Sequence, residues 1–382
     1  MDGFCNRFPP GPFALHLATG VDRPLKLFKC QNCGQILYFE NSVCTKCSHS
    51  LGYDPAVSRL LALDPAPDQQ NTWQAVGASD RTYRFCSNAS FGVCNWLIDA
   101  TTPDAFCLCC RHNATVPDTT VGDNLSNWAK METAKHRLFY SLVRLRLPLD
   151  PPQGQTERLM FDFLAIPKDP TAQHVMTGHD NGLITIALSE ADDAQREKNR
   201  VALHEPYRTL LGHFRHEVGH YYWDRLVRDN ETALADFRTL FGDERRDYGE
   251  ALQTYYANGA PADWQNNFVS AYATSHAWED FAETWAHYLH IVDTLEIAGA
   301  FEMSVHPRLM RSSSDLDAKV DFDSYTAPDI DTLIDAWLPL SLALNSLNRA
   351  MGQSDLYPFV LSPPAVEKLG MIHRLVHGIA NR

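Results

Sequence analysis

His216-Glu217-Val218-Gly219-His220 is the stretch on which the reading of this chain turns. On a helix, positions four apart project from one face, so both imidazoles can reach a single metal ion. Glu217 projects beside them, where a carboxylate can take a proton from water made acidic by zinc. Five residues also recur by chance, and a surface helix bearing two histidines is the competing reading. The flanks decide against it: Leu210, Leu211, Phe214, Val218, Tyr221 and Leu226 give the same helix, expected from about Pro206 to Val227, an apolar side.

A third ligand is sought downstream. A further histidine six residues after His220, with glycine between, is absent, because Trp223 and Leu226 hold those places. That excludes the metzincin arrangement. A helix expected over His276 to Ala298 carries Glu279 and Glu283, four apart on one side, and a carboxylate ligand leaves the fourth coordination position open for water. Asp280 competes with them. His213 shares the face of His216 and His220, and His287 that of the two glutamates; a ligand or substrate contact is one reading of each, and a partly buried polar neighbour the preferred one. The β-branched strand Gly182 to Leu188 lies upstream, where zinc peptidases set an edge strand for the substrate backbone.

The run Tyr272 to Glu283 resembles the Tyr…Glu-x-x-Ala-Glu signature of gluzincin peptidases related to anthrax lethal factor. The resemblance implies Glu279 as the ligand, Tyr272 as oxyanion donor seven residues before it, and Glu283 as an outer carboxylate. In helical projection Asp280 stands roughly 60° from Glu283 and Glu279 roughly 40°, which also favours Glu279. Glu283 can hold His216 or His220 through the ring nitrogen that faces away from zinc, with Asp224 competing for that place. A packing tyrosine is the rival reading of Tyr272, and His276 is the next oxyanion donor in line. More closely, Gly212 to Trp223, Trp278 to Leu295 and Asp355 to Pro363 resemble a bacterial family of zinc-binding metallopeptidases with an N-terminal zinc ribbon, over nearly the whole chain.

All 10 cysteines precede residue 111. Cys30-x2-Cys33 and Cys44-x2-Cys47 form two knuckles that close a tetrahedron around structural zinc, with no position left for catalysis. Cys86, Cys94, Cys107 and Cys110 point to a second structural zinc, although Cys109 leaves its fourth ligand open and Cys5 is left over. Clustered thiols of this kind belong to a reducing compartment, so a cytoplasmic protein is expected. The first residues lack a basic segment followed by an unbroken apolar run, and the apolar stretch from Leu333 to Leu344 is interrupted by Asp335 and Pro339.

A formal net charge of −14 over 382 residues argues against a phosphate backbone as partner. The ribbon itself balances Arg7, Arg23, Lys26, Lys29 and Lys46 against nearby acids, so protein docking or scaffolding suits it better than nucleic acid. The expected architecture is α+β: a zinc ribbon over 1–53, a second cysteine-rich lobe over 54–118, and a mainly helical zincin-like domain over 119–382. Its helices are expected near Leu125 to Leu145, Thr232 to Phe241, Tyr248 to Ala257, Asp329 to Met351 and Pro364 to Gly378, with a strand at Phe161 to Ile166. The expected activity is zinc-dependent hydrolysis of peptide bonds, with one catalytic and one or two structural zinc ions. Two rivals stand beside it: an adaptor whose metal turns nothing over, and a zinc hydrolase of a non-peptide amide.

Overall fold

The computed structural model describes residues 27–67, 70–78, 80–151, 157–165, 177–202, 208–308 and 316–380. Cys5, the basic residues before position 27 and the expected helix start at Pro206 lie outside them. The architecture is α+β, sheets first and helices after.

β1 (Leu27–Lys29) and β2 (Ile36–Tyr38) pair antiparallel around the Cys30–Cys33 knuckle, where Gly34 takes φ +72°. β3 (Ser50–Asp54), β4 (Arg59–Pro65), β5 (Trp73–Ala75), β6 (Thr82–Phe85) and β7 (Leu97–Asp99) form one antiparallel sheet in sequential order. The expected border at 53/54 falls inside the β3–β4 hairpin, whose register pairs Tyr53 with Leu60 and Asp54 with Arg59. This sheet therefore carries both cysteine sets: Cys44 and Cys47 lead into β3, Cys86 follows β6, and Cys94 precedes β7. Leu60 to Leu63 are all buried, so β4 lacks the alternation that marks a strand with one wet face.

β8 (Asn113–Thr115) leads into a four-stranded sheet of order β10-β11-β9-β8, with β9 (Met160–Leu164), β10 (Gly178–Asp180) and β11 (Leu183–Ala187). The segment from Gly182 was expected at the edge, yet β11 is paired on both sides and β10 takes the edge. Asn181 and Gly182, at φ +48° and +88°, make the two-residue turn that folds β10 back. Only glycine fits at 182, where an added Cβ would stand 2.5 Å from the carbonyl oxygen of Arg158.

The helices are α1 (Asn124–Arg144), α2 (Asp193–Ala202), α3 (Leu210–Trp223), α4 (Glu231–Leu240), α5 (Tyr248–Asn258), α6 (Ala277–Ala300), α7 (Ile330–Ala350) and α8 (Pro363–Ala380). Side chains of Thr209, Asn230, Asp247, His276 and Asp329 accept the first free backbone N–H groups of α3 to α7. A π-helical turn, Asp224–Arg228, continues α3. No helix among the described residues is long and apolar enough to cross a membrane.

α6 is the hub. Phe281, Trp285, Tyr288, Leu289, Val292 and Leu295 are wholly buried along it, each worth about 1.5–3 kcal/mol when transferred from water. Its crossing with α3 is close because Gly219 has no side chain: an added Cβ would lie 2.9 Å from Ala282 Cα and 3.2 Å from Trp285 Cβ. Tyr222 stacks on Trp285 at 5.0 Å between ring centroids. Buried Arg215 locks the pair further by bonding Asp293 and His290.

Gly219→Ala is expected to lower stability by on the order of 1 kcal/mol. The overpacking penalty of about 1–3 kcal/mol falls on backbone that cannot step aside, and it exceeds the helix-propensity gain of about 1 kcal/mol. Denaturant melts measure it, and a variant as stable as the parent would contradict the close crossing.

Candidate metal centre

The α3–α6 crossing brings His216, His220 and Glu279 together, with every pair of ligand atoms within 4.8 Å. His216 Nε2 lies 2.9 Å from Glu279 Oε2 and 3.2 Å from His220 Nε2, while Glu279 Oε1 lies 3.6 Å from His220 Nε2. A tetrahedral zinc with ligands at about 2.0–2.1 Å sets neighbouring donors roughly 3.3 Å apart, and the separations of 2.9 and 3.2 Å from His216 Nε2 lie close to that value.

The protons sharpen the fit. His216 Nδ1 lies 2.7 Å from Glu283 Oε1, and an ionised carboxylate only accepts, so Nδ1 carries the hydrogen. A neutral ring, the form that binds metal, turns a lone pair on Nε2 toward buried Glu279 Oε2 at 2.9 Å. Lone pairs facing one another at this distance need a cation among them, a proton on Nε2 while metal is absent or a metal ion in its place. Zinc fits the donor set by charge, spacing and ligand type.

Each carboxylate has its other oxygen fixed by a hydroxyl. Ser270 Oγ donates to Glu283 Oε2 at 2.5 Å, and Tyr248 Oη donates to Glu279 Oε1 at 2.5 Å. Burial disfavours a charged His216, but the carboxylates of Glu279 and Glu283 outweigh it and hold its pKa well above the usual histidine range. Burial likewise opposes ionised Glu279, and the charge of His220 with bonds from both histidines holds it well below its ordinary value. Glu217 is buried next to this group, and desolvation raises its pKa against the pull of His216 and His220. The Tyr272 ring lies 5.9 Å from that of His216, and its hydroxyl has no hydrogen-bond partner among the described residues. Burial, and then the charge of Glu279, raises that phenol's pKa.

Other expected residues go elsewhere. Asp280 turns away from the histidines to Lys368 Nζ at 2.6 Å, both side chains being buried. Asp224 meets Arg228 Nη1 at 3.2 Å and bonds neither histidine, since the π-helical turn swings it toward Arg228. His276 uses both ring nitrogens: Nδ1 accepts from Trp278 N at 3.1 Å, and Nε2 donates to the Arg246 carbonyl at 3.2 Å. It is a helix cap without a proton to offer the cleft. His213 Nδ1 stands 3.3 Å from Glu190 Oε2, and His287 Nδ1 stands 2.6 Å from Tyr357 Oη.

Cys30, Cys33, Cys44 and Cys47 gather with sulfurs 3.6 Å apart in the pairs Cys30–Cys47 and Cys33–Cys44. Cys86, Cys94, Cys107 and Cys110 form a second group, with Cys94 and Cys107 at 3.8 Å. Tetrahedral thiolates at a zinc–sulfur distance of about 2.3 Å lie roughly 3.8 Å apart, so both groups suit zinc. Backbone N–H groups of Trp96, Cys107 and Cys110 point at the sulfurs of Cys94, Cys86 and Cys107, each at 3.4 Å. Cys110, rather than Cys109, completes the set. Cys109 faces Glu132 and His136 of α1, and His136 Nε2 also reaches Cys94 Sγ at 3.3 Å. Tyr248, Ser270 and His136 went unread in the sequence because no fixed spacing ties them to their partners.

Residues 124–375 match the family described as "Putative zinc-binding metallo-peptidase", and residues 27–121 match a zinc-ribbon domain. The chain belongs to this family of zinc-binding metallopeptidases. Among similar proteins are one from Mycobacterium bovis and two from strains of Mycobacterium tuberculosis, all described as uncharacterized. Each is 41% identical over 358 residues, covering 92% of this chain and 96% of its own. No solved structure matches.

Glu279→Ala is expected to lose a chelatable zinc that Asp280→Ala retains, with Glu283→Ala weakened about 10–100-fold. Protons compete with metal for His216, whose raised pKa means that binding weakens from a higher pH than for an ordinary histidine as acid is added. Zinc titrations between pH 8 and 6 read this, and a pH-independent affinity would contradict it.

Proposed function

We propose that the chain is a gluzincin-type zinc peptidase, similar at its active site to peptidases related to anthrax lethal factor. The observation that carries this is the set of donor atoms of His216, His220 and Glu279, facing one another beside buried Glu217, whose carboxyl has no hydrogen-bond partner among the described residues. Zinc held by those three residues supplies Lewis-acid polarisation of the scissile carbonyl and lowers the pKa of water.

The chain's own groups supply the rest. Glu217 takes the proton from the attacking water and delivers it to the leaving amine; a carboxyl whose pKa is raised by burial is suited to both acts. Tyr272 donates to the oxyanion as charge develops there, its hydroxyl being uncommitted. Glu283 fixes the tautomer of His216 through Nδ1. β10, an edge strand of its sheet among the described residues, would offer backbone groups to an extended peptide. Two closed zinc sites made by the eight clustered thiols brace the N-terminal lobes, giving three zinc ions in all. Those lobes are scaffold or docking surface for protein, in a cytoplasmic enzyme that takes peptide or protein substrates and no nucleic acid.

Glu217→Gln should abolish turnover with zinc content and folding unchanged, because the side chain works on water and is no ligand. Tyr272→Phe should lower kcat by about 10²–10³-fold with KM little altered. A peptide library screened on the parent supplies the substrate. Full activity in the Glu217 variant would refute the peptidase mechanism, and full activity in the Tyr272 variant would make that tyrosine a packing residue.

A further inference from the structure

Tyr248 opens α5, whose N-terminus is fixed by the Asp247 side chain accepting from Glu250 N at 2.8 Å. The residue is 39% exposed, so a phenol there could point its hydroxyl into water. It points inward instead and donates at 2.5 Å to Glu279 Oε1, on a carboxylate only 1% exposed. That length is typical of a charge-assisted O–H···O⁻ bond, about twice as strong as a neutral one.

The ring is aimed by its neighbours. His276 meets it edge-on at 5.3 Å between centroids, and Trp278 meets it edge-on at 6.0 Å. His276 is itself immobilised, because one nitrogen caps α6 and the other holds the carbonyl of Arg246, two residues before Tyr248. Trp278 also packs edge-on against His220 at 4.7 Å. Tyr248 is thus tied both to the helix that carries Glu279 and to the aromatic group beside the second histidine.

The two glutamates follow one pattern. Glu283 gives one oxygen to His216 and the other to the hydroxyl of Ser270. Glu279 gives Oε1 to the hydroxyl of Tyr248 and leaves Oε2 facing His216 Nε2 at 2.9 Å. A carboxylate free to turn about its last bond would offer either oxygen or both. One held through Oε1 offers a single, oriented lone-pair site, and hydrogen bonds to ligating carboxylates are a general means of tuning affinity.

We propose that Tyr248 is a positioning residue for the metal centre: its phenol fixes one oxygen of Glu279 so that the other is presented to zinc. This rests on the reading of His216, His220 and Glu279 as zinc ligands. Tyr248 differs from Tyr272 in kind, since its hydroxyl is already engaged by the ligand while that of Tyr272 is uncommitted.

The test uses the full chain stripped of its chelatable zinc with the cysteine sites left loaded. Zinc is titrated back against a chromophoric chelator, and cobalt(II) is added in parallel for its visible spectrum. Tyr248→Phe removes one hydroxyl and keeps the ring contacts. It should weaken zinc binding about 10–100-fold and change the cobalt bands, with the melting temperature of the stripped chain unmoved. Tyr256→Phe, on the same helix and 61% exposed, should match the parent throughout. Parent-like affinity and cobalt spectrum in Tyr248→Phe would overturn the positioning role alone. Equal losses in the Tyr256 variant, or a lowered melting temperature that accounts for the loss, would reduce the effect to packing and overturn it too. A parent that takes up no chelatable zinc would instead overturn the reading of the site itself.

Discussion

The contact between Gly219 and Ala282 governs the rest of the helical half. Two helices carrying two donor sets must approach until His216 and His220 on one reach Glu279 and Glu283 on the other. Interaxial distances depend on the side chains at the crossing, and here one partner has none. With 2.9 Å from the missing Cβ position to Ala282 Cα, there is no room for another residue at 219 without separation of the helices. The glycine inside the histidine motif is therefore structural in origin and chemical in effect. Arg215, one position before His216, adds a buried polar lock on Asp293 and His290. Removing one member of such a pair would leave a buried charge uncompensated.

Much of this half was legible in the sequence because its signals are local and periodic. α1, α4 to α8 and the main part of α3 fall within a few residues of their expected limits, as amphipathic stripes bounded by Asp, Asn, Thr and Pro predict. The approach of His216, His220, Glu279 and Glu283 was legible as well, since four-residue spacing fixes a helix face. Which carboxylate touches which ring was not, because that depends on the crossing of two helices some sixty residues apart. Asp224 shows the limit: its spacing from His220 suits an α-helix, and the chain widens into a π-helical turn there.

The sheets were less legible. β4 is buried on both faces and reads as an apolar run without alternation, and three-residue strands such as β5 and β7 carry too little pattern to register. Asn181-Gly182 was a usable signal for the β10–β11 hairpin, which among the described residues puts β10 rather than β11 at the sheet edge. The hydroxyls of Tyr248 and Ser270 left no trace in spacing at all, being placed by capped helix ends and short turns.

α1 reaches beneath the second cysteine group with Trp128, Glu132, Lys135 and His136. Glu132 Oε1 accepts from Trp128 Nε1 at 3.0 Å, Asn113 Nδ2 at 2.6 Å and Lys135 Nζ at 3.0 Å, and the Lys135 and Glu132 side chains are wholly shielded from water. Asn113, and Cys109 beside Glu132, bring residues that precede α1 into the surroundings of this buried ion pair. The lobes are not a detachable cassette: cutting the chain ahead of α1 would strip the cover from a paired charge that water must then flood.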